Sequence, residues 1–126
     1  MGTRIARLWS DVVDGRPQLD PTLGRTDDPK QIARILGYLR DGEPVLRAPT
    51  LQDDHLDPAR KRCVPLIFLT DGEWIWSGEH SYYLQEHGVM PEESFYRTMQ
   101  EHGFRVPPVS EAAVEEALEL LTGARA

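Results

Sequence analysis

The chain has 126 residues and a formal net charge of −7, a length at which a single domain buries roughly two-thirds of its unfolded surface and holds a core without covalent staples. Its single cysteine, Cys63, excludes an internal disulfide and is too little for a zinc ribbon, so a reducing, cytoplasmic setting is expected. Residues 1–62 carry eleven Lys/Arg against ten Asp/Glu and residues 63–126 carry three against eleven, so +1 and −8 make up the total; this argues against nucleic acid, which is bound by counterion release at Lys and Arg, and favours a basic protein partner or plain solubility.

No run at the start of the chain is apolar enough for a signal peptide, and no segment is long enough for a membrane span, so no membrane association is expected. Residues 5–13 alternate loosely and end at Asp14-Gly15, a pair suited to the positive φ of a tight turn, which predicts a first strand or hairpin. Residues 16–27, with Pro17, Pro21 and Gly24, read as loop. A helix start follows: Asp28 can cap, Pro29 suits the first helical position and Gln31 can reach back in a capping box. Ile32, Ile35, Leu36 and Leu39 recur at i, i+3, i+4 and i+7, so an amphipathic helix is predicted over 29–41. Residues 45–51 are expected to form a short strand and 52–62 a surface loop.

The clearest element is a hairpin over about 64–76. A two-residue type I′ turn at Asp71-Gly72 sets Leu69 opposite Trp74, Phe68 opposite Ile75 and Ile67 opposite Trp76. Alternation then places Ile67, Leu69, Trp74 and Trp76 on one side, and Leu66, Phe68 and Ile75 on the other. Both faces are apolar. The hairpin is therefore expected at the centre of the molecule, covered on both sides; the alternative is one buried face and one face left for a partner or a second copy. Three helices are predicted after it, over 78–87, 91–102 and 111–122, with Ser77 and Ser110 as N-caps and Pro91, Glu92 and Glu93 in a first turn. The expected fold is α+β in a single domain spanning 1–126: a small antiparallel sheet around the central hairpin, one early helix and three C-terminal helices.

Gln85-Glu86-His87-Gly88 recurs as Gln100-Glu101-His102-Gly103, and an apolar residue, Val89 or Phe104, follows each copy. Glycine caps of the Schellman kind explain the glycines, the apolar residues and the histidines together, which a metal site does not. His80 and His87 lie seven apart with no evident third ligand, so no metal site is expected. Asp53-Asp54-His55-Leu56-Asp57 lacks the glycine and terminal glutamate of a calcium loop and reads as a solvated turn. Cys63 follows Arg60-Lys61-Arg62, whose charge favours a thiolate, yet no base is evident at a fixed spacing and a small core residue is the simpler reading. No nucleophile elbow, phosphate loop or dinucleotide fingerprint is present, so neither catalytic residues nor a cofactor are expected.

In the last helix Val114, Ala117, Leu118 and Leu121 form the expected core stripe, while Glu111, Glu115 and Glu119 run along another side with Glu116 beside them. Like charges at i, i+4 cost roughly 0.2–0.5 kcal/mol per pair. Such a face serves solubility or the recognition of a basic partner.

Thr70-Asp71-Gly72-Glu73-Trp74-Ile75-Trp76, then Tyr82-Tyr83-Leu84, His87-Gly88 and Pro91-Glu92-Glu93-Ser94-Phe95, resemble a group of small uncharacterised bacterial cytoplasmic proteins that share a TDGxWIW hairpin followed by YYLxxHG and PEExF helices. The resemblance covers about residues 28–107 and implies the order of hairpin and helices; it brings no catalytic residues with it.

The expected function is an acidic protein-interaction module, immunity-like or regulatory, that binds a basic protein partner through Trp74, Trp76, Tyr83, Glu111, Glu115 and Glu119. The rival is a small enzyme or ligand-binding protein with a cleft lined by Trp74, Trp76, Tyr82 and Tyr83, using Cys63, Asp71 or a histidine. A homodimer formed through the hairpin is compatible with either.

Overall fold

The computed structural model describes residues 2–123. Along them run β1 (Arg4–Ile5), β2 (Trp9–Val13), β3 (Arg16–Leu19), α1 (Pro29–Arg40), β4 (Glu43–Arg47), β5 (Ile67–Thr70), β6 (Trp74–Ser77), α2 (Gly78–His87), α3 (Glu93–Glu101) and α4 (Glu111–Thr122). The architecture is α+β, as expected. Strands β1, β6, β5 and β4 form one sheet in that order, and β2 and β3 form a separate two-stranded ribbon.

The β5–β6 hairpin occupies the two central places, and all four residues of β6 are buried. Its strands begin at Ile67 and end at Ser77. Its register differs from the expected one by two residues: Leu69 faces Trp76 and Thr70 faces Ile75. The cause lies in the turn. Asp71 Oδ1 accepts from the amides of Glu73 at 2.8 Å and Trp74 at 2.7 Å, and Thr70 Oγ1 donates to the Trp74 carbonyl at 2.7 Å. These side-chain bonds hold residues 71–74 as a wider turn and displace the two-residue type I′ form. An even shift leaves each side chain on its expected face, because the strand period is two.

Strand β4 pairs antiparallel with β5, and β1 adds to β6 in parallel, so the antiparallel core of the sheet carries one parallel edge. Pro44 sits on the outer strand β4, where its missing N–H costs no central ladder bond. The strand starts at Glu43, two residues before the expected position, and ends at Arg47. Asp14 and Gly15 take positive φ values of 53° and 76°, the tight turn anticipated for that pair, with the two positive φ values of type I′. That turn extends the hairpin into residues 16–19, which the composition had suggested were loop; Pro17 is accommodated opposite Val12 at the edge of the ribbon.

Helix α1 starts as read: Asp28 Oδ1 accepts from the Lys30 amide at 3.0 Å and Pro29 stands first. Gln31 does not close a capping box; its side chain binds Thr26 Oγ1 at 2.7 Å and Tyr96 Oη at 3.3 Å, tying the helix to α3. Helix α3 begins at Glu93, two residues after Pro91; the Glu92 carboxylate is turned to the Arg7 amide at 2.7 Å and offers α3 no cap.

The face of Leu69, Trp74 and Trp76 packs on Ile35, Tyr38 and Leu39 of α1 and on Phe95 and Met99 of α3. Burying each such side chain stabilises the fold by about 1.5–3 kcal/mol. The polar ends of the indoles are satisfied, Trp74 Nε1 donating to Thr98 Oγ1 at 3.0 Å and Trp76 Nε1 to the Leu39 carbonyl at 2.9 Å. A second cluster of Leu8, Leu23, Val64, Tyr83 and Val89 lies on the other flank of α2. Helix α4 lies against β4.

Candidate functional site

The aromatic residues expected to bind lie in the interior. Trp74, Trp76 and Tyr83 are 2 %, 1 % and 0 % exposed. Phe95 fills the space against both indoles, with ring centroids 5.2 Å from each. The anticipated aromatic cleft is therefore occupied by the protein's own side chains. Tyr83 stands apart from the two indoles in the second cluster, its hydroxyl accepting from the His55 amide at 2.7 Å, and burial first of all raises its pKa to about 12. Among the described residues β4 pairs with the outer edge of β5, and β1 pairs with β6 at Trp74 and Ile75.

The glutamates of α4 lie differently. Ser110 Oγ caps the helix by accepting from Ala113 N at 3.1 Å, and Glu111 follows in the first turn, where the helix dipole favours an acid. The inner face is made by Ala113, Val114, Ala117, Leu120 and Leu121, while Leu118, expected in the core, is 37 % exposed. Leu118 stands at i+3 from Glu115 and i+7 from Glu111, so the outer face mixes carboxylates with an apolar side chain. Glu119 is half-buried toward the side of the helix. Between α4 and β4 lies a groove of about 310 Å³ whose apolar floor is Pro44, Val109 and Val114 and whose rim carries Glu43, Glu111 and Glu115. Glu43 had no signal in the sequence; only the packing of α4 on β4 brings it there.

A second constellation forms where the loop after β4 folds onto α2. Asp54, expected in a solvated turn, is 1 % exposed. Its Oδ2 accepts from Tyr82 Oη at 2.8 Å and meets His87 Nε2 at 2.6 Å, and its Oδ1 accepts from the amides of Leu56 at 2.8 Å and Asp57 at 3.0 Å. Burial pushes this carboxyl up, but the bonds from His87, Tyr82 and the two amides outweigh it and hold the pKa at about 2. Cys63 is half-buried beside this group, its Sγ 3.4 Å from Tyr82 Oη and 3.7 Å from the Arg60 carbonyl. The imidazole of His87 is directed at Asp54, so thiol and imidazole do not form the hydrogen-bonded pair that a cysteine nucleophile uses.

The second copy of the repeat builds a matching arrangement. Tyr38 Oη donates to Asp71 Oδ2 at 2.5 Å and so accepts from His102 Nδ1 at 2.8 Å, while His102 Nε2 lies 3.4 Å from Glu73 Oε1. The glycine caps are present in both copies. Phe104 N bonds the Met99 carbonyl and Gly103 N that of Gln100, a Schellman end for α3, whereas Gly88 closes α2 through a bond to Leu84. Capping thus accounts for the glycines, and each histidine has a further role: it joins an aspartate and a tyrosine from distant segments. His80 serves neither copy. Its Nδ1 accepts from Ser77 N at 3.5 Å as the return half of a capping box, and burial lowers its pKa to about 4. Among the described residues no three His, Cys, Asp or Glu side chains converge as metal ligands do, and no helix is long and apolar enough to cross a membrane.

Compared with known proteins, the chain matches no family model, no curated protein and no solved structure.

Proposed function

We propose that this chain is an acidic protein-interaction module that binds a basic partner, in an immunity-like or regulatory role such as neutralising a basic toxin or controlling a partner enzyme. The observation that carries this reading is the groove between β4 and α4, where Glu43, Glu111 and Glu115 surround the apolar floor of Pro44, Val109 and Val114. An acidic rim speeds encounter with a positively charged surface, and the floor and Leu118 offer the dry contact that turns encounter into residence. The net −8 of residues 63–126 adds a long-range field of the same sign.

The test uses a synthetic peptide of alternating lysine and leucine as probe. Binding by the wild-type chain at low ionic strength, weakening as salt is added and lost in the Glu111→Lys/Glu115→Lys variant, is expected. Equal binding by that variant, with an unchanged circular dichroism spectrum, would reject the groove as the interface.

A further inference from the structure

We propose that the cavity between α1, β5 and α2 binds a small molecule carrying one carboxylate on a short apolar body. The cavity measures about 280 Å³, just below the roughly 300–1,000 Å³ of pockets for drug-sized ligands, so it suits a short one. Its floor is Pro65, Ile67 and Leu69, alternate residues that share one face of the chain entering and forming β5. Leu69 is buried, yet Ile67 on the same face is only half-buried. The reason is α2, which turns Gly78, Ser81 and Gln85 toward the floor and sets no bulky apolar side chain over Ile67. The helix cannot move in to close the gap, because it already starts in contact with the strand: a Cβ at Gly78 would lie 2.8 Å from the Pro65 carbonyl oxygen.

Two features make this a shaped site rather than a packing fault. Its wall is the ring of Tyr82, whose hydroxyl is held by Asp54 at 2.8 Å and is approached by Arg60 and Cys63 at 3.4 Å each, so the ring is fixed from behind. Its rim carries Arg40, the last residue of α1, whose guanidinium donates to Gln85 Oε1 at 2.8 Å across the mouth. A neutral amide takes up one of the guanidinium's five N–H donors, and the exposed Arg40 forms no ion pair among the described residues, so the other donors can turn to a ligand at the mouth. A guanidinium at the mouth of an apolar floor, bonded there only to a neutral amide, matches a monoanion locally, against the net charge of −7 that the rest of the chain carries. A carboxylate can take two parallel bonds from the guanidinium while its hydrocarbon part covers Ile67 and Leu69. An ammonium meets repulsion at the rim, and an uncharged chain leaves the guanidinium unanswered.

The test titrates the isotope-labelled chain with hexanoate, hexan-1-ol and hexylamine and follows backbone amide shifts by NMR. Hexanoate is expected to give saturable shifts at Ile67, Ser81 and Gln85, with hexan-1-ol binding more weakly and hexylamine not at all. Arg40→Gln, an exposed change that spares the core, should weaken hexanoate by about tenfold or more, the loss of a charge-assisted bond. Ser81→Leu should fill the cavity and abolish binding without lowering Tm. Absence of saturable shifts, equal affinity in Arg40→Gln, hexylamine binding as well as hexanoate, or hexanoate bound unchanged by Ser81→Leu would each overturn the proposal.

Discussion

Asp54 and His87 meet at 2.6 Å although 33 residues separate them in the chain, and their contact ties the loop after β4 to the C-terminal end of α2. The carboxylate is buried and fully hydrogen-bonded, with four partners in the positions its two oxygens offer. Asp54→Asn removes the charge and puts an amide N–H₂ opposite either Tyr82 and His87 or the two backbone amides, so those bonds must reverse or break. The expected loss is about 1–3 kcal/mol, measurable by urea denaturation at pH 7. The folded carboxyl titrates at about 2 against 3.8 in the unfolded chain. A depressed pKa gives stability that is present above the unfolded value and is lost as pH falls toward the folded one. The gap between wild type and Asp54→Asn should therefore be full above pH 4 and shrink between 4 and 2; a gap independent of pH across that window would contradict the assignment.

His80 titrates in a different window. Its pKa is about 4 in the folded chain and 6.5 in the unfolded one, so between those values the unfolded chain binds the extra proton. Stability from this residue is complete above about pH 6.5 and is lost as pH falls to 4, by about 3 kcal/mol in all. His80→Gln keeps an acceptor for the Ser77 amide, since glutamine is a natural partner in a capping box, and has no titration. The variant should flatten the pH dependence of unfolding between 6.5 and 4 while leaving the lower window of Asp54 in place.

Gly88 and Gly103 occupy equivalent places in the repeat but differ in what surrounds them. Both have positive φ, 68° and 64°, so either alanine variant incurs the left-handed strain of about 1–2 kcal/mol. A Cβ at Gly88 would also collide with the Thr26 carbonyl oxygen, whereas one at Gly103 meets nothing within 4 Å. Gly88→Ala should thus lower Tm clearly more than Gly103→Ala, and equal losses would show that the 24–26 segment yields without cost.

Tyr38→Phe removes the hydroxyl that joins Asp71 to His102 and leaves the buried Asp71 carboxylate and the half-buried His102 without that partner. An expected cost of about 1–3 kcal/mol follows from the unsatisfied groups. The hairpin turn should loosen with it, read as faster amide exchange at Glu73 and Trp74, whose N–H groups depend on the other Asp71 oxygen.

Helix starts and ends were largely legible, because caps are local: Asp28, Ser77, Ser110, Gly88 and Gly103 each act on a backbone group a few residues away. The sheet was legible in its faces but not its register, since alternation reports parity only, and a shift of two leaves parity unchanged. Binding residues were the least legible. Large aromatics are ambiguous between core and cleft, and Phe95, from a helix some twenty residues beyond the indoles, is what places Trp74 and Trp76 in the core.

What the sequence alone determined is the α+β class, the position of the central hairpin, the helix boundaries within a residue or two and the acidic face of α4, because propensity, periodicity and charge act over short stretches of chain. What the tertiary structure decided is which groups meet: Asp54 with His87 and Tyr82, Tyr38 with Asp71 and His102, Glu43 with Glu111 and Glu115, and Arg40 over Ile67. Those meetings depend on how helices and strands pack across the fold, and a buried polar group takes its partners from whatever the packing brings within hydrogen-bond distance.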